Sequence, residues 1–311
     1  MSIGFIHEIT GRCNLACTFC YNPWPTSGMP EELSIEENCA LLKRTLADSK
    51  ASWLTFTGGE PLLYEGLEEV MTFVHQHFPD IGLGLATNGV LLDASRLDRL
   101  RTAGLGYVEI SLVTSEVQVY RRLVGGDHPD RSRHALTLAR SRGLATTAAT
   151  VLRSGMENEL EDLIHIAFAL GANRIALNRF VARGRGLHQA GLRPSLEELD
   201  RLLTTANRVG SELAYPIAIT TPIEACLLPH ERFPHLDFGP CICGESKWAI
   251  DSQGHLRTCE LSEEILGDLK RERFTDLLES PRLGRFQGFS RSTACPGCRN
   301  TETCHGGCRF A

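Results

Sequence analysis

Gly104, Gly143 and Gly171 each stand directly after an amphipathic helical stretch and just before a β-rich run. Glycine suits the left-handed residue that closes a helix. Helix, glycine, strand, repeated along one chain, is the pattern of parallel βα units. Strands are expected at residues 4–9, 53–57, 82–87, 107–112, 145–152 and 174–180, with a further short run at 217–220. Helices are expected at 35–46, 67–77, 94–103, 133–142, 160–170 and 196–209. Six such units predict an α/β fold built as a partial (β/α)6 TIM-like barrel, with an active site at the C-terminal ends of the strands.

The regularity stops near residue 221. Residues 221–240 are rich in proline and histidine and read as a linker, so His230 and His235 are taken as exposed rather than metal-binding. Runs at 247–251 and 255–259 flank a Ser-Gln-Gly turn and predict a hairpin. A short helix is expected at 273–278, and residues 290–311 are loop-like and cysteine-dense. The expected division is a core at 1–220 and a small cysteine-rich domain at 221–311. The second part is poor in apolar periodicity, so bound metal is its expected staple.

Composition narrows the class. The 311 residues carry a net charge of −6, with 42% hydrophobic and 23% charged residues, the profile of a soluble enzyme-sized chain. The mild acidity argues against a duplex nucleic-acid partner. No apolar run is long enough for a membrane span, and residues 1–7 lack the features of a secretory signal. A cytoplasmic location is therefore expected. Twelve cysteines in a reducing compartment point to metal rather than disulfides.

Cys13, Cys17 and Cys20 follow the first strand on one loop, at spacings of four and three. Three thiolates so placed can hold a cubane cluster and leave its fourth iron open. A zinc site completed by His7 is the alternative for these cysteines alone. After the second strand come Gly58, Gly59, Glu60 and Pro61. Two glycines expose backbone at the strand end, and the carboxylate beside them can accept from an ammonium group.

Together the cysteine triad, with Phe19 at its aromatic place, and the Gly-Gly-Glu-Pro turn resemble the radical S-adenosylmethionine (SAM) superfamily. Residues 86–89 after the third strand and 110–112 after the fourth resemble its later motifs, so the likeness covers about residues 3–220. The resemblance implies that Cys13, Cys17 and Cys20 hold a [4Fe–4S] cluster and that SAM chelates the open iron. Gly58, Gly59 and Glu60 would bind the methionine amino end, with Pro61 completing the motif. Phe19 and Tyr21 would lie near the adenine, and Asn88 and Ser111 would contact ribose or carboxylate. Arg122, or Arg121 beside it, would pair the carboxylate; a solvated helix face is the alternative. Reductive cleavage of SAM would then yield a 5′-deoxyadenosyl radical that abstracts hydrogen from an unactivated carbon.

The later cysteines run Cys243, Gly254, Cys259, then Cys295, Cys298, Cys304 and Cys308. This resembles the SPASM extension, which holds auxiliary [4Fe–4S] clusters. A zinc ribbon is the alternative for the bare CxxC pair. The resemblance assigns Cys243, Cys259 and Cys308, with Cys241 or Cys226, to one auxiliary cluster. Cys295, Cys298 and Cys304 would hold a second through three thiolates, since the pattern's seventh cysteine is not met before Ala311. That second cluster is expected to be open to substrate, completed by another ligand, or absent. Cys226 has a further reading as a thiol returning hydrogen to a substrate radical, while Cys39 reads as core.

The expected reaction is oxidative modification of a peptide. An epimerase or dehydrogenase of a sugar or aminoglycoside, and a non-catalytic iron–sulfur or zinc scaffold, are the alternatives. The Arg183-Gly-Arg185-Gly186 run is read as a carboxylate site or a basic turn, and Glu109 and Asn178 as strand residues of unassigned face. A reducing donor such as flavodoxin or ferredoxin is implied. Because the chain begins close to the first strand, a separate leader-peptide-binding protein is expected as a partner.

Overall fold

The computed structural model describes residues 2–22, 31–289 and 295–311. One sheet of eleven strands runs through the molecule in the order β11-β10-β9-β1-β2-β3-β4-β5-β6-β7-β8. The strands are β1 Gly4–Thr10, β2 Trp53–Gly58, β3 Gly82–Thr87, β4 Leu105–Ser111, β5 Ala145–Leu152, β6 Arg174–Arg179, β7 Ile217–Ile219, β8 Leu236–Phe238, β9 Lys247–Ile250, β10 His255–Arg257 and β11 Ile265–Asp268. From β9 through β1 to β8 every neighbour is parallel; only β10 and β11 turn back as antiparallel strands. The order is linear, so the barrel is an open arc.

Seven principal helices cross over between strands: α1 Ile35–Ser49, α2 Leu67–His77, α3 Ala94–Thr102, α4 Val117–Val124, α5 Pro129–Ser141, α6 Leu160–Ala169 and α7 Leu196–Leu213. Local chemistry sets their ends. Ser34 caps α1 and Ser195 caps α7, each in a reciprocal box with the glutamate three residues on. Gly104, Gly143 and Gly171 all take positive φ, as the sequence predicts. Phe5, Leu54, Phe56, Leu85 and Val108 fill the core with no exposure.

The segment at 221–240 is more than a linker. It supplies β8, which pairs with β7 through Ile217↔Leu236 to Ile219↔Phe238. Phe233 and Leu236 are buried, and the His230 ring stacks on Phe238 at 4.0 Å. The expected hairpin forms as β9 and β10, and β9 adds to the barrel by pairing in parallel with β1. The short helix α8, Phe274–Leu277, seals that junction: Phe274 meets Phe5 of β1 at 5.3 Å and Trp248 of β9 at 5.4 Å, both edge to face. The Glu8 carboxylate of β1 and the Arg257 guanidinium of β10 add a buried ion pair. Two further helices follow, α9 Pro281–Phe289 and α10 Thr301–Cys304. No helix among the described residues is long and apolar enough to cross a membrane.

Candidate active site at the strand ends

A cavity of about 300 Å³ opens at the C-terminal ends of the strands. The loop after β1 brings Cys13, Cys17, Phe19, Cys20 and Tyr21 to it, and β2 ends there in Gly58 and Gly59. Asn88 follows β3, Glu109 and Ser111 come from β4, Thr150 from β5, and Asn178 and Arg179 from β6. Beyond the barrel, Arg185 and Glu260 complete the wall.

The cysteine loop is held on two sides. Ala16 and Thr18 donate backbone N–H to the carbonyls of Val124 and Leu123 at 3.0 and 2.7 Å. Leu15, Tyr120, Leu123 and Val124 form a small separate core, with Cys17 and Phe19 packed against it. From the other side, Arg185 Nε donates to the Cys17 carbonyl at 2.9 Å and Gly186 N–H to the Cys20 carbonyl at 3.2 Å. The Arg183–Gly186 run is therefore a clasp on the loop as well as part of the cavity.

The glycine pair is required by close approach. Gly59 and Glu60 donate backbone N–H to the carbonyls of Thr10 and Arg12 at 2.8 and 2.7 Å. A Cβ on Gly58 would lie 2.2 Å from the Thr10 oxygen, and one on Gly59 2.1 Å from the Arg12 oxygen. Gly58 also takes φ +142°, a conformation only glycine adopts readily. The turn after β2 is thus laced to the root of the cysteine loop.

Glu60 and Pro61 do not line the cavity. The Glu60 carboxylate is fully buried and accepts from Leu62 N–H at 3.2 Å, Thr87 Oγ1 at 2.6 Å and Asn88 N–H at 2.8 Å. Burial pushes this carboxyl up, against the pull of those donors. It braces the rim from behind, and the backbone of Gly58 and Gly59 is what faces inward. Asn88 Nδ2 donates to Asn14 Oδ1 at 2.8 Å, tying the β3 rim to the cysteine loop.

Two of the expected residues lie away from the cavity. Arg122 is exposed, because Tyr120, Leu123 and Val124 occupy the inward face of α4, in keeping with the solvated helix face that is its alternative reading. Arg121 is exposed too and pairs with Asp127 at 2.8 Å. Cys226 lies outside the cavity: Leu227 and Leu228 donate back to the Glu224 carbonyl at 3.0 and 3.1 Å, which buries Ala225 and Leu228 and turns Cys226 outward.

The electrostatics suit a soft cation at the triad. Burial, then Cys20 and Cys13, pushes the Cys17 thiol up to about 12. Burial is also the main cause that raises Cys13, with Cys20 adding to it. Thiols that repel one another as anions are a donor set that a bound metal cluster deprotonates. Among the described residues no three His, Cys, Asp or Glu side chains close on a single-ion site. His7, the zinc alternative's ligand, is sealed in β1 with Nε2 against Asn38 Oδ1 at 2.7 Å.

Two carboxyls in the cavity have opposite characters. Burial works against charge on Glu260, but Lys247, whose Nζ donates to it at 2.7 Å, outweighs this and holds the carboxyl below its usual range. Burial pushes Glu109 up, and it has no hydrogen-bond or ion-pair partner among the described residues. Glu260 escapes sequence reasoning, although its place directly after Cys259 was a usable signal.

Next to this wall lies a second thiol set. Cys241, Cys259 and Cys308 are buried and Cys243 half-buried. Cys241 and Cys259 both act on the Cys243 thiol, which is pushed up, and the charge of Cys241 helps raise Cys308. Cys241, not Cys226, therefore stands with them. Cys295, Cys298 and Cys304 are half-buried on a tight turn, with Cys298 N–H on the Cys295 carbonyl at 2.9 Å, and α10. Residues 290–294 of the expected cysteine-dense loop lie outside the described residues.

A parallel βα arc with three thiols at its mouth, continued by a strand hairpin carrying more thiols, defines a class. The Radical SAM superfamily model matches residues 7–167, and that of an iron–sulfur cluster-binding domain, SPASM, matches residues 241–304. PqqA peptide cyclase of Xanthomonas axonopodis pv. citri is 30% identical over 97% of this chain and 81% of its own length. The PqqA peptide cyclase of Bradyrhizobium diazoefficiens is 27% identical over 97% and 80%. In fold the chain is similar to Streptococcus suis SuiB bound to precursor peptide SuiA, with a TM-score of 0.81 at 16% identity over 99% of this chain and 72% of that one. It is likewise similar to anSMEcpe with bound AdoMet, with a TM-score of 0.79 at 18% identity over 100% and 86%. The chain belongs to the radical SAM superfamily and carries a SPASM extension. It is an enzyme of SAM and [4Fe–4S] chemistry.

Proposed function

We propose that this enzyme modifies a peptide oxidatively. The named activity of relatives 30% identical along nearly the whole chain supports a peptide substrate. The observation that carries the oxidative part is that Glu260 lines the cavity and directly follows Cys259, so the second thiol set adjoins the reaction space.

In this reading Cys13, Cys17 and Cys20 hold the SAM-binding cluster. Cys241, Cys243, Cys259 and Cys308 hold one auxiliary cluster, and Cys295, Cys298 and Cys304 a second. When bound, the first cluster and SAM supply a radical that removes one hydrogen from an unactivated carbon. The backbone of Gly58 and Gly59 receives the amino end of SAM, Asn88 and Ser111 its polar atoms, and Phe19 and Tyr21 flank its base. Arg185 is the cavity cation nearest the triad and takes the carboxylate role expected of Arg122. The substrate radical would lose its second electron to an auxiliary cluster, and the proton lost with it would be released into the cavity. Glu109, with no hydrogen-bond or ion-pair partner among the described residues and its carboxyl pushed up by burial, is better matched to accept it than Glu260, whose carboxyl Lys247 holds below its usual range. The core at 1–220 and the auxiliary part at 221–311 thus share one reaction space. Flavodoxin or ferredoxin would supply the reducing electron, a separate protein would present the peptide leader, and the reaction would run in the cytoplasm.

The test is anaerobic reconstitution with SAM, reductant and the precursor peptides encoded beside this chain's gene. Release of 5′-deoxyadenosine with loss of two hydrogens from a peptide is expected. SAM cleavage that changes no peptide but oxidises a sugar or aminoglycoside would overturn the reading.

A further inference from the structure

Arg309 presents an electrostatic problem that the described residues do not solve. Its Nε and Nη1 atoms are buried and have no hydrogen-bond partner among the described residues. No carboxylate pairs with it in the ion pairs of the described residues, which account for the neighbouring Arg179 through Glu224 at 3.0 Å and Arg183 through Glu263 at 3.5 Å. Buried N–H donors left open on a half-buried guanidinium are costly unless an anion meets them. The side chain is nevertheless firmly placed, with its guanidinium carbon 4.1 Å from the centre of the Phe286 ring on α9. Phe286 in turn closes on Gly244, where an added Cβ would lie 2.9 Å from the ring. Gly244 follows Cys243, and Arg309 itself follows Cys308. The ring thus sets the guanidinium beside the second thiol set.

We propose that Arg309 is a positioning residue of the auxiliary centre, its Nε–H and Nη1–H donating to the sulfurs of the cluster held by Cys241, Cys243, Cys259 and Cys308. The anion missing from the protein is then the cluster with its thiolates. Hydrogen bonds to sulfur and a nearby positive charge stabilise the reduced form more than the oxidised one, so they raise the reduction potential. A higher potential makes this centre a better acceptor for the electron that the substrate gives up. Phe286 fixes the fork from its ring face and leaves the N–H edge free for sulfur.

The inference rests on the ligand set proposed above, and the experiment separates the two. In a chain carrying Cys13→Ala, Cys17→Ala and Cys20→Ala, only auxiliary iron remains. Adding Cys259→Ser should remove about four irons per chain; unchanged iron would overturn the ligand set whatever Arg309 does. Arg309→Gln and Arg309→Lys are then placed in the same background, and the auxiliary midpoint is read by EPR during a redox titration. Arg309→Gln should keep its iron and shift the midpoint to a more negative value. Arg309→Lys, which keeps the charge but loses the planar fork, should fall between. A midpoint unmoved in Arg309→Gln at full iron content would overturn the proposal. Loss of iron from both variants would overturn it as well, since the residue would then only anchor the tail.

Discussion

The carboxylate of Glu60 accepts the backbone N–H of Asn88 at 2.8 Å, which makes the turn after β2 and the turn after β3 a single piece. Thr87 Oγ1 and Leu62 N–H bind the same carboxylate. Glu60→Gln puts an NH₂ group where donors already converge and leaves at least one of them unpaired in a buried place. The expected cost is about 2–4 kcal/mol in urea unfolding. SAM affinity should fall with it, because Asn88 loses its anchor, while iron at the triad is retained. Wild-type stability together with wild-type SAM affinity would show that the brace does not set the rim.

Gly59→Ala tests the lacing between β2 and the cysteine loop. Its Cβ would meet the Arg12 carbonyl at 2.1 Å, and that oxygen also accepts the Glu60 N–H, so it cannot retreat without loss. A loss of about 3 kcal/mol or more is expected from this overlap. Iron incorporation should drop as the loop is pushed outward. Unfolding midpoint and iron content measured on one preparation check both parts.

Cysteine variants separate the two faces of the molecule. Cys17→Ala should abolish SAM cleavage, since its thiol faces the cavity with Cys13 and Cys20. Cys226→Ala should leave both cleavage and product formation at wild-type rates, because the Glu224 turn points this thiol to solvent. Counting 5′-deoxyadenosine against modified product by chromatography distinguishes them. If Cys226→Ala stops product while cleavage continues, the thiol reaches the substrate by a rearrangement.

How far the sequence carried the fold depends on how local each signal is. Strands β3 and β5 have the bounds expected from the sequence, because each is a short β-rich run read from its own few residues, with Gly143 marking the start of β5. Helix α4 is absent from the expected helix bounds, and a helix at Arg121 and Arg122 is read only as an alternative: its eight residues are a single short amphipathic run after a polar loop, and their apolar face makes sense only against Leu15. Strand β8, three residues in a proline-rich stretch, exists because β7 offers an edge. The triad and the glycine turn were legible as motifs. Where the side chains of Glu60, Arg122 and Cys226 lie was not, since each is decided by which neighbours a strand end or helix face meets. Glu260 reaches the cavity only because β9 docks beside β1, a pairing across most of the chain.

Glu109 gives a pH test that needs no substrate. Burial raises its carboxyl above the ordinary value of about 4.3, so the folded protein holds this proton more tightly than the unfolded chain does. The stability linked to it is therefore fully present below the unfolded value and is lost as pH rises through the raised one. Glu109→Gln carries no charge at any pH. The variant's stability relative to wild type should thus grow in its favour as pH climbs from acid to neutral, then level off once the wild-type carboxyl is ionised. Thermal melts of both proteins across that range read the difference directly. A difference that stays flat would mean that Arg174 and Lys247, which act on Glu109 through space, offset the burial and leave its carboxyl at the unfolded value. In that case proton uptake in the cavity would pass to another group, and Glu109→Gln would leave the ratio of product to cleaved SAM unchanged.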